Sequence, residues 1–285
     1  MNSSQIFIIG ANGQLGRALK QQYPGASSAD ITELDITDAN SVAGYDWSGV
    51  KVIANAAAYT NVDAAETPEG RQAAWQVNSV AVANLARVAQ EHGITLVHIS
   101  TDYVFDGSKE LHTETEPFTP LGVYGQSKAA GAIAASLAPQ HYILRATWVI
   151  GDGKNFVRTT LELGAKGVSP TVVAHQIGRL TFTTELVRAI DHLLTAQAPY
   201  GTYNASNGGD SVSWSDITRE IFKEAGFANL SVTDTTTAEY FVGKDPAPAP
   251  RPLQSTLALD KLKSTGFTPR DWREDLQKYI KKELT

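Results

Sequence analysis

A phenol and an ammonium stand four residues apart in Tyr124-Gly-Gln-Ser-Lys128, directly after the loop TETEPFTPLGV. On a helix, positions i and i+4 share a face, so Lys128 can lie beside Tyr124 and raise the acidity of its phenol from an ordinary pKa of about 10. Such a phenol can hand a proton to an oxygen at neutral pH. The same spacing also fits a half-buried aromatic beside a solvated lysine, and the pentapeptide alone does not choose. Upstream, the run ITLVHIS leads into Ser100-Thr101-Asp102-Tyr103. Ligands in parallel sheets gather at the carboxyl ends of the strands, where Thr101 can hydrogen-bond the same reacting oxygen.

Chemistry at a carbonyl or alcohol needs a hydride carrier, and the chain opens on a place for one. IFIIGANGQLGRAL reads as a buried strand, a turn with Gly10, Gly13 and Gly16, and a helix start. Glycines let the backbone approach a pyrophosphate, and the helix N-terminus offers free N–H donors and a favourable dipole. The spacing is Gly-x-x-Gly-x-x-Gly rather than Gly-x-Gly-x-x-Gly, and three glycines can also make only a tight turn. Their place at the first strand-to-helix junction favours a dinucleotide. An acid that grips the adenosine ribose is expected near the end of the second strand, and Asp30 and Asp35 in PGASSADITELDITD are the candidates. That segment has no basic cluster to receive a 2'-phosphate, which leans towards NADH, whereas Arg17 just inside the first helix leans towards NADPH.

These groups need a scaffold, and the first half of the chain supplies an alternation of short apolar runs and helical patterns. Strands are predicted at Gln5–Gly10, Thr32–Asp35, Lys51–Asn55, Thr95–Ser100 and Tyr142–Ala146, and helices at Gln14–Tyr23, Glu69–His92 and Leu121–Leu137. FIIG, VIAN and LVHI are apolar on successive residues, the mark of strands covered on both faces. The fold class is therefore α/β: a Rossmann-type doubly wound parallel sheet with a smaller discontinuous C-terminal substrate lobe. Residues 1–150 and 177–207 form the expected dinucleotide domain, with a helix at Thr183–Gln197 and a strand at Gly201–Ala205; residues 151–176 and 208–285 form the lobe. Within the lobe, Ser213 to Ala225 and the stretch from Asp271 are predicted helices with capping residues at their starts. DPAPAPRP between them reads from composition as a linker rather than a stiff loop carrying Arg251.

With 285 residues the chain can bury a large core, and its net charge of −6 disfavours non-specific nucleic-acid binding. It has no cysteine, so disulfides and thiolate metal sites are excluded. No apolar run approaches a membrane span and the start lacks a secretory pattern, so no membrane partner is expected and cytoplasmic residence is.

The motifs GANGQLG, NAAAYTNVDAAE, HISTDYVFDG, PLGVYGQSKAAGA, LRATWVIG and RPLQSTLALDKL together resemble the extended short-chain dehydrogenase/reductases, and within them the reductases of dTDP-4-keto-sugars. The resemblance runs from residue 5 to about 275. It implies hydride transfer from NADH or NADPH to the C4 keto carbon of dTDP-4-dehydro-L-rhamnose, giving dTDP-L-rhamnose, with Tyr124 as proton donor, Lys128 as the ribose-binding lysine that lowers the phenol's pKa, and Thr101 as the assisting hydroxyl. It implies cofactor contacts at Gly10, Asn12, Gly13, Gln14, Leu15 and Gly16, at Asp30, Asp35 and Ile36, and at Ala56, Ala57, Ala58, Tyr59 and Thr60, besides Tyr124 and Lys128. Substrate positions fall on Val62, Asp63, Thr101, Asp102, Tyr103, Trp148, Asn155, Gln176 and Arg251. Trp148 could otherwise be a core aromatic and NVDAAE a simple helix cap; the resemblance makes the first a wall for the sugar and places Arg251 on the diphosphate, against the linker reading.

The pattern also departs from the family. The stretch Ala174-His-Gln-Ile-Gly-Arg-Leu-Thr181 keeps Gln176, Gly178 and Thr181 but has His175 and Leu180 where the family has an acid and a proline, and His175 reads as an exposed loop residue. Some members dimerise through magnesium held by a first-helix glutamate. The matching position here is Ala18, which leaves Glu185 alone, so no structural metal and a monomer are expected, with fusion to or association with a neighbouring rhamnose-pathway enzyme left open. Two other readings compete: a nucleotide-sugar epimerase or dehydratase of the same fold, against which the lone acid Asp102 speaks, and a non-catalytic NAD(P)-binding regulatory subunit, against which the intact Thr101, Tyr124 and Lys128 speak.

Overall fold

The structure, a computed structural model, describes residues 2–243 and 248–285. β1 (Ile6–Ile9) is buried along its whole length. Its alternation sends Ile6 and Ile8 into the core on one face and Phe7 and Ile9 into the core on the other, as a strand covered on both faces must. After it come α1 (Gln14–Gln22), β2 (Ser27–Ala29), α2 (Ala39–Gly44), β3 (Val52–Asn55), α3 (Pro68–Trp75), α4 (Ala81–His92), β4 (Thr95–Thr101), α5 (Val123–Ala135) and β5 (His141–Ala146). The chain then passes through β6 (Val149–Ile150), α6 (Phe156–Ala165), β7 (Thr171–Val173), β8 (Ile177–Gly178) and β9 (Thr181–Phe182) before α7 (Thr183–Thr195) and β10 (Gly201–Asn204). It ends through β11 (Val212–Ser213), α8 (Trp214–Glu224), β12 (Thr233–Thr235), α9 (Thr237–Tyr240), α10 (Asp260–Ser264) and α11 (Trp272–Leu284).

The central sheet has six strands in the order β10-β5-β4-β3-β1-β2, every pair parallel. The direction of winding reverses between β1 and β3, the crevice at which doubly wound sheets bind ligands. Leu15 and Leu19 of α1 and Leu186, Ile190 and Leu193 of α7 cover one face. Val82 and Leu85 of α4 and Ala132 and Ala135 of α5 cover the other. A third core joins Val157 and Leu161 of α6, Ile217 and Ile221 of α8 and Trp272, Leu276 and Ile280 of α11 with Leu180 and Phe182. Ser213 caps α8 with a reciprocal Asp216 bond, as its sequence suggests. Asp271 caps α11 by accepting from the Arg273 amide, without the reciprocal bond.

Two expectations about elements need correction. The second strand is Ser27–Ala29, not Thr32–Asp35. Residues 30–34 form a turn, in which the Glu33 and Leu34 amides donate to the Asp30 carbonyl. The true β2 is polar because it is an edge strand against β1 and buries only part of its length. The long helix expected over Glu69–His92 is interrupted by a π turn at Gln76–Val80. Of the proline-rich stretch, residues 245–247 lie outside the described residues; from 248 onward it is tied to Asp63 through the Ala249 amide and the Arg251 guanidinium.

Candidate functional site

The turn after β1 holds its shape because no side chain stands in it. Gly10 has φ +75°, and a Cβ there would lie 2.6 Å from the Ala57 nitrogen; one on Gly16 would collide with the Gly10 carbonyl. Gly13 caps α1 with no side chain over the first-turn amides. Backbone, amides and glycines thus form a cradle beside Asn12, Gln14 and Leu15, in a cleft of about 690 Å³. A dinucleotide pyrophosphate fits this geometry.

The cradle continues on its adenosine side into a hollow lined by Gly10, Asp30, Asp35, Ile36 and Ala56 to Ala58. With β2 ending at Ala29, Asp30 follows the strand directly. Its carboxylate accepts from the Asn12 and Ile31 amides at 3.0 and 2.9 Å, fixing an acid where a ribose hydroxyl would reach it. Asp35 is committed to Thr37, accepting from its amide and hydroxyl at 2.9 and 2.7 Å. The guanidinium of Arg17 donates to the carbonyls of Asn12 and Asp152. It ties the cradle to residue 152 and is not directed at Asp30.

The loop from Ala56 to Thr60 is pinned by a residue that sequence reasoning missed. Asn78, buried in the π turn, accepts from the Tyr59 amide at 2.9 Å and donates to the Tyr59 carbonyl and the Ser127 hydroxyl, both at 3.0 Å. One amide therefore locks the cofactor-side loop to the helix of Tyr124. The extra residue of a π turn re-aims a side chain in this way, and such turns collect at functional sites. The ring of Tyr59 packs with Ala65, Ala74 and Val123.

At the far end of the cleft Thr101, Asp102, Tyr103, Tyr124 and Lys128 line one wall. Thr101 ends β4, and its hydroxyl donates to Asp102 at 3.0 Å. Tyr124 and Lys128 rise from the first turns of α5. The ring of Tyr103 meets that of Tyr124 edge-on, centroids 5.5 Å apart. Lys128, only 2% exposed, donates from Nζ to the Ile99 carbonyl at 2.5 Å.

The electrostatics correct one expectation. The phenol of Tyr124 is pushed up to about 12, by burial first and then by the charge of Asp102, with the Thr101 hydroxyl pulling the other way. Burial also moves Lys128 down to about 7 and weakens its hold on a proton. Asp102 is raised to about 6 by burial, opposed by hydroxyls of Ser255, Thr101 and Thr147.

The remaining candidates separate. Thr60, Val62 and Trp148 line the cleft, as do Arg17 and the exposed Lys154, a cation that the sequence reading passed over. Gln176 and Arg251 line a second cavity of about 410 Å³, with Trp214, Phe156, Leu163 and Val172. Asp63 binds the chain rather than an open pocket: both its oxygens accept from Arg251 Nη2 at 2.9 Å, and Oδ1 also accepts from the Ala249 amide at 3.0 Å. Asn155 caps α6, and its amide donates to Gly151, Gly153 and Tyr279, so its polar atoms serve the lobe. His175 is half-buried rather than exposed, with Nδ1 out of solvent. Leu180 is fully buried in the third core. Glu185 is buried, pairs with Arg188 and accepts from the Arg270 amide at 2.9 Å. Among the described residues no three His, Asp or Glu side chains are grouped to hold a metal, and no helix is long and apolar enough to cross a membrane.

Comparison with known proteins gives a consistent set of relatives. The family profile described as "RmlD substrate binding domain" matches residues 4–285. A dTDP-4-dehydrorhamnose reductase of Aggregatibacter actinomycetemcomitans is 37% identical, over 96% of this chain and 97% of its own. A solved dTDP-4-dehydrorhamnose reductase of Clostridium acetobutylicum superposes with a TM-score of 0.90 at 37% identity, covering 98% of this chain and 99% of that one. The Bacillus anthracis enzyme, solved in complex with NADP, does so with a TM-score of 0.88 at 35% identity, covering 97% of each chain.

Proposed function

The chain belongs to the RmlD substrate binding domain family, and from that membership and the geometry of its cleft we infer that it reduces dTDP-4-dehydro-L-rhamnose to dTDP-L-rhamnose with NADH or NADPH. The observation that carries the assignment is the meeting of Thr101, Tyr124 and Lys128 in the same cleft as the glycine cradle. The bound reduced nicotinamide supplies the hydride for the C4 carbon. Tyr124 supplies the proton for the C4 oxygen, so that ketone, hydride and proton together give the alcohol. A phenol held up to about 12 stays loaded with its proton at neutral pH, which suits a donor in the reducing direction. Thr101 orients the oxygen beside the phenol. Lys128, anchored on Ile99, presents its remaining Nζ donors to the cofactor ribose.

The second cavity suits the nucleoside. Its walls are largely apolar and aromatic, as a base requires, with the amide of Gln176 and the fork of Arg251 as polar contacts. Arg251 is assigned to the diphosphate, for which its bonds to Asp63 would have to be exchanged.

The test is an assay of dTDP-4-dehydro-L-rhamnose with NADH and with NADPH, followed by absorbance of the reduced cofactor and by analysis of the sugar. Stoichiometric oxidation with formation of dTDP-L-rhamnose is expected. A changed sugar without net oxidation would replace this reading with an epimerase, and binding without turnover with a regulatory subunit.

A further inference from the structure

Two indoles stand face to face between the cleft and the second cavity. Trp148, just past β5, lines the cleft, and Trp214, the first residue of α8, lines the second cavity. Their ring centroids are 3.7 Å apart and their planes within 22°. Trp148 holds φ at +45°, a left-handed conformation that a bulky aromatic adopts only where its surroundings impose it.

Three features impose it. The Trp148 carbonyl accepts from the Thr181 amide at 3.1 Å, fixing the backbone. The indole lies over Gly178, where a Cβ would stand 3.0 to 3.1 Å from three ring atoms. Trp214 closes the other face. Trp214 is itself held, by the capping box of Ser213 and Asp216 and by the ring of Phe156 at 4.3 Å. The antiparallel pair β8 and β11 sets Val212 opposite Gly178, so the seat of the Trp148 indole lies in this small ladder and the lid, Trp214, directly follows it. Burial in the lobe core would not by itself require this backbone, since Trp148 is only partly buried and faces the cleft.

We propose that Trp214 is a positioning residue for the reduction: stacked on Trp148 and opposed by Gly178, it fixes the indole that walls the sugar and transmits occupancy of the nucleoside cavity to the cleft. The proposal rests on the assignment of the cleft to the sugar and of the second cavity to the nucleoside. A sugar ring displaced by a fraction of an ångström loses alignment with both hydride and proton donor, so the loss falls on turnover. The base, by contrast, keeps most of its cavity when one wall is trimmed.

The experiment compares Trp214→Leu, Trp214→Phe and Gly178→Ala with the unaltered chain, each with kcat and KM for the dTDP-sugar, Kd for NADH, and the far-ultraviolet exciton couplet that stacked indoles produce. Trp214→Leu should lose about tenfold or more in kcat with NADH affinity kept within about twofold, and Trp214→Phe should recover most of that loss. Gly178→Ala, which pushes the indole from its other face, should lower kcat while leaving both tryptophans in place. dTDP alone should alter the couplet of the unaltered chain. Unchanged kcat in Trp214→Leu, no rescue by phenylalanine, or a couplet indifferent to dTDP would overturn the proposal; if Trp214→Leu does not fold, Gly178→Ala and the dTDP titration decide. Failure of the unaltered chain to turn over the sugar would instead sink the functional assignment, and the couplet is read without turnover.

Discussion

Glu66 Oε1 accepts the Val123 amide proton at 2.8 Å, so a carboxylate distant in sequence caps the helix that carries Tyr124 and Lys128. Gly122 occupies the N-cap and has no side chain to do this work. A Cβ there would stand 2.6 Å from Glu66 Oε1, so a side chain at this position would push the capping carboxylate aside. The turn NVDAAE therefore grips two things at once, with Asp63 on Arg251 and Glu66 on α5.

Glu66→Ala should remove about 1 kcal/mol of stability, the ordinary cost of a lost N-cap, and lower kcat by letting the first turn of α5 shift. Glu66→Gln keeps an accepting oxygen and should restore both. Urea unfolding and steady-state rates on the two variants check this. Equal damage from alanine and glutamine would show that the charge, not the hydrogen bond, is what counts.

Asp102 makes a signed prediction about pH. Its ordinary pKa of 3.8 is raised to about 6 in the folded chain, so between those values the native state binds the extra proton and stability falls as pH rises. The cost is complete above about 6. Asp102→Asn removes it, so the variant should gain on the unaltered chain between pH 4 and pH 7.5, by at most about 3 kcal/mol. The check is a urea midpoint at each pH. A stability difference that is the same at both would contradict the raised carboxyl.

Arg251 should act on binding. Its removal in Arg251→Ala should raise KM for the dTDP-sugar by about tenfold or more with kcat nearly kept, since the diphosphate is held alike in ground and transition states. Arg251→Lys should not rescue it, because a point charge does not match the diphosphate bidentately. A loss confined to kcat would place Arg251 in the chemistry instead.

How much of this was legible in the sequence depends on where each partner lies. The glycine cradle, Tyr124 with Lys128, and Thr101 at a strand end are local patterns, and the structure brings all of them into one cleft. β2 was misplaced because an edge strand needs no apolar run, and SSA offers none. Asn78, Glu66 and Trp214 escaped because each works through a contact distant in sequence, to Ser127, Val123 and Trp148. Asn78 is one of two asparagines among the many polar residues of 69–92, and nothing local sets it apart. The effect of Lys128 on Tyr124 was misjudged for a different reason. Sequence spacing shows that two groups are neighbours, but not that burial will outweigh their attraction.

That reversal leads to the sharpest prediction about Tyr124. A donor pushed up to about 12 remains protonated across the whole assayable range, so kcat for reduction should stay level to about pH 10 and show no alkaline limb from the phenol. The reverse reaction, alcohol oxidation, needs the phenolate and should climb steadily over the same range. Tyr124→Phe should lose about 10²-fold or more in kcat while NADH affinity changes little, because only the proton donor is removed. In Asp102→Asn the nearby negative charge is gone, the phenol ionises more readily, and oxidation should set in at lower pH than in the unaltered chain. pH profiles of kcat in both directions test the set. An alkaline fall of the reductive rate near neutrality, abolished in Tyr124→Phe, would mean that the bound cofactor restores the acidified phenol that the spacing of Tyr124 and Lys128 first suggested.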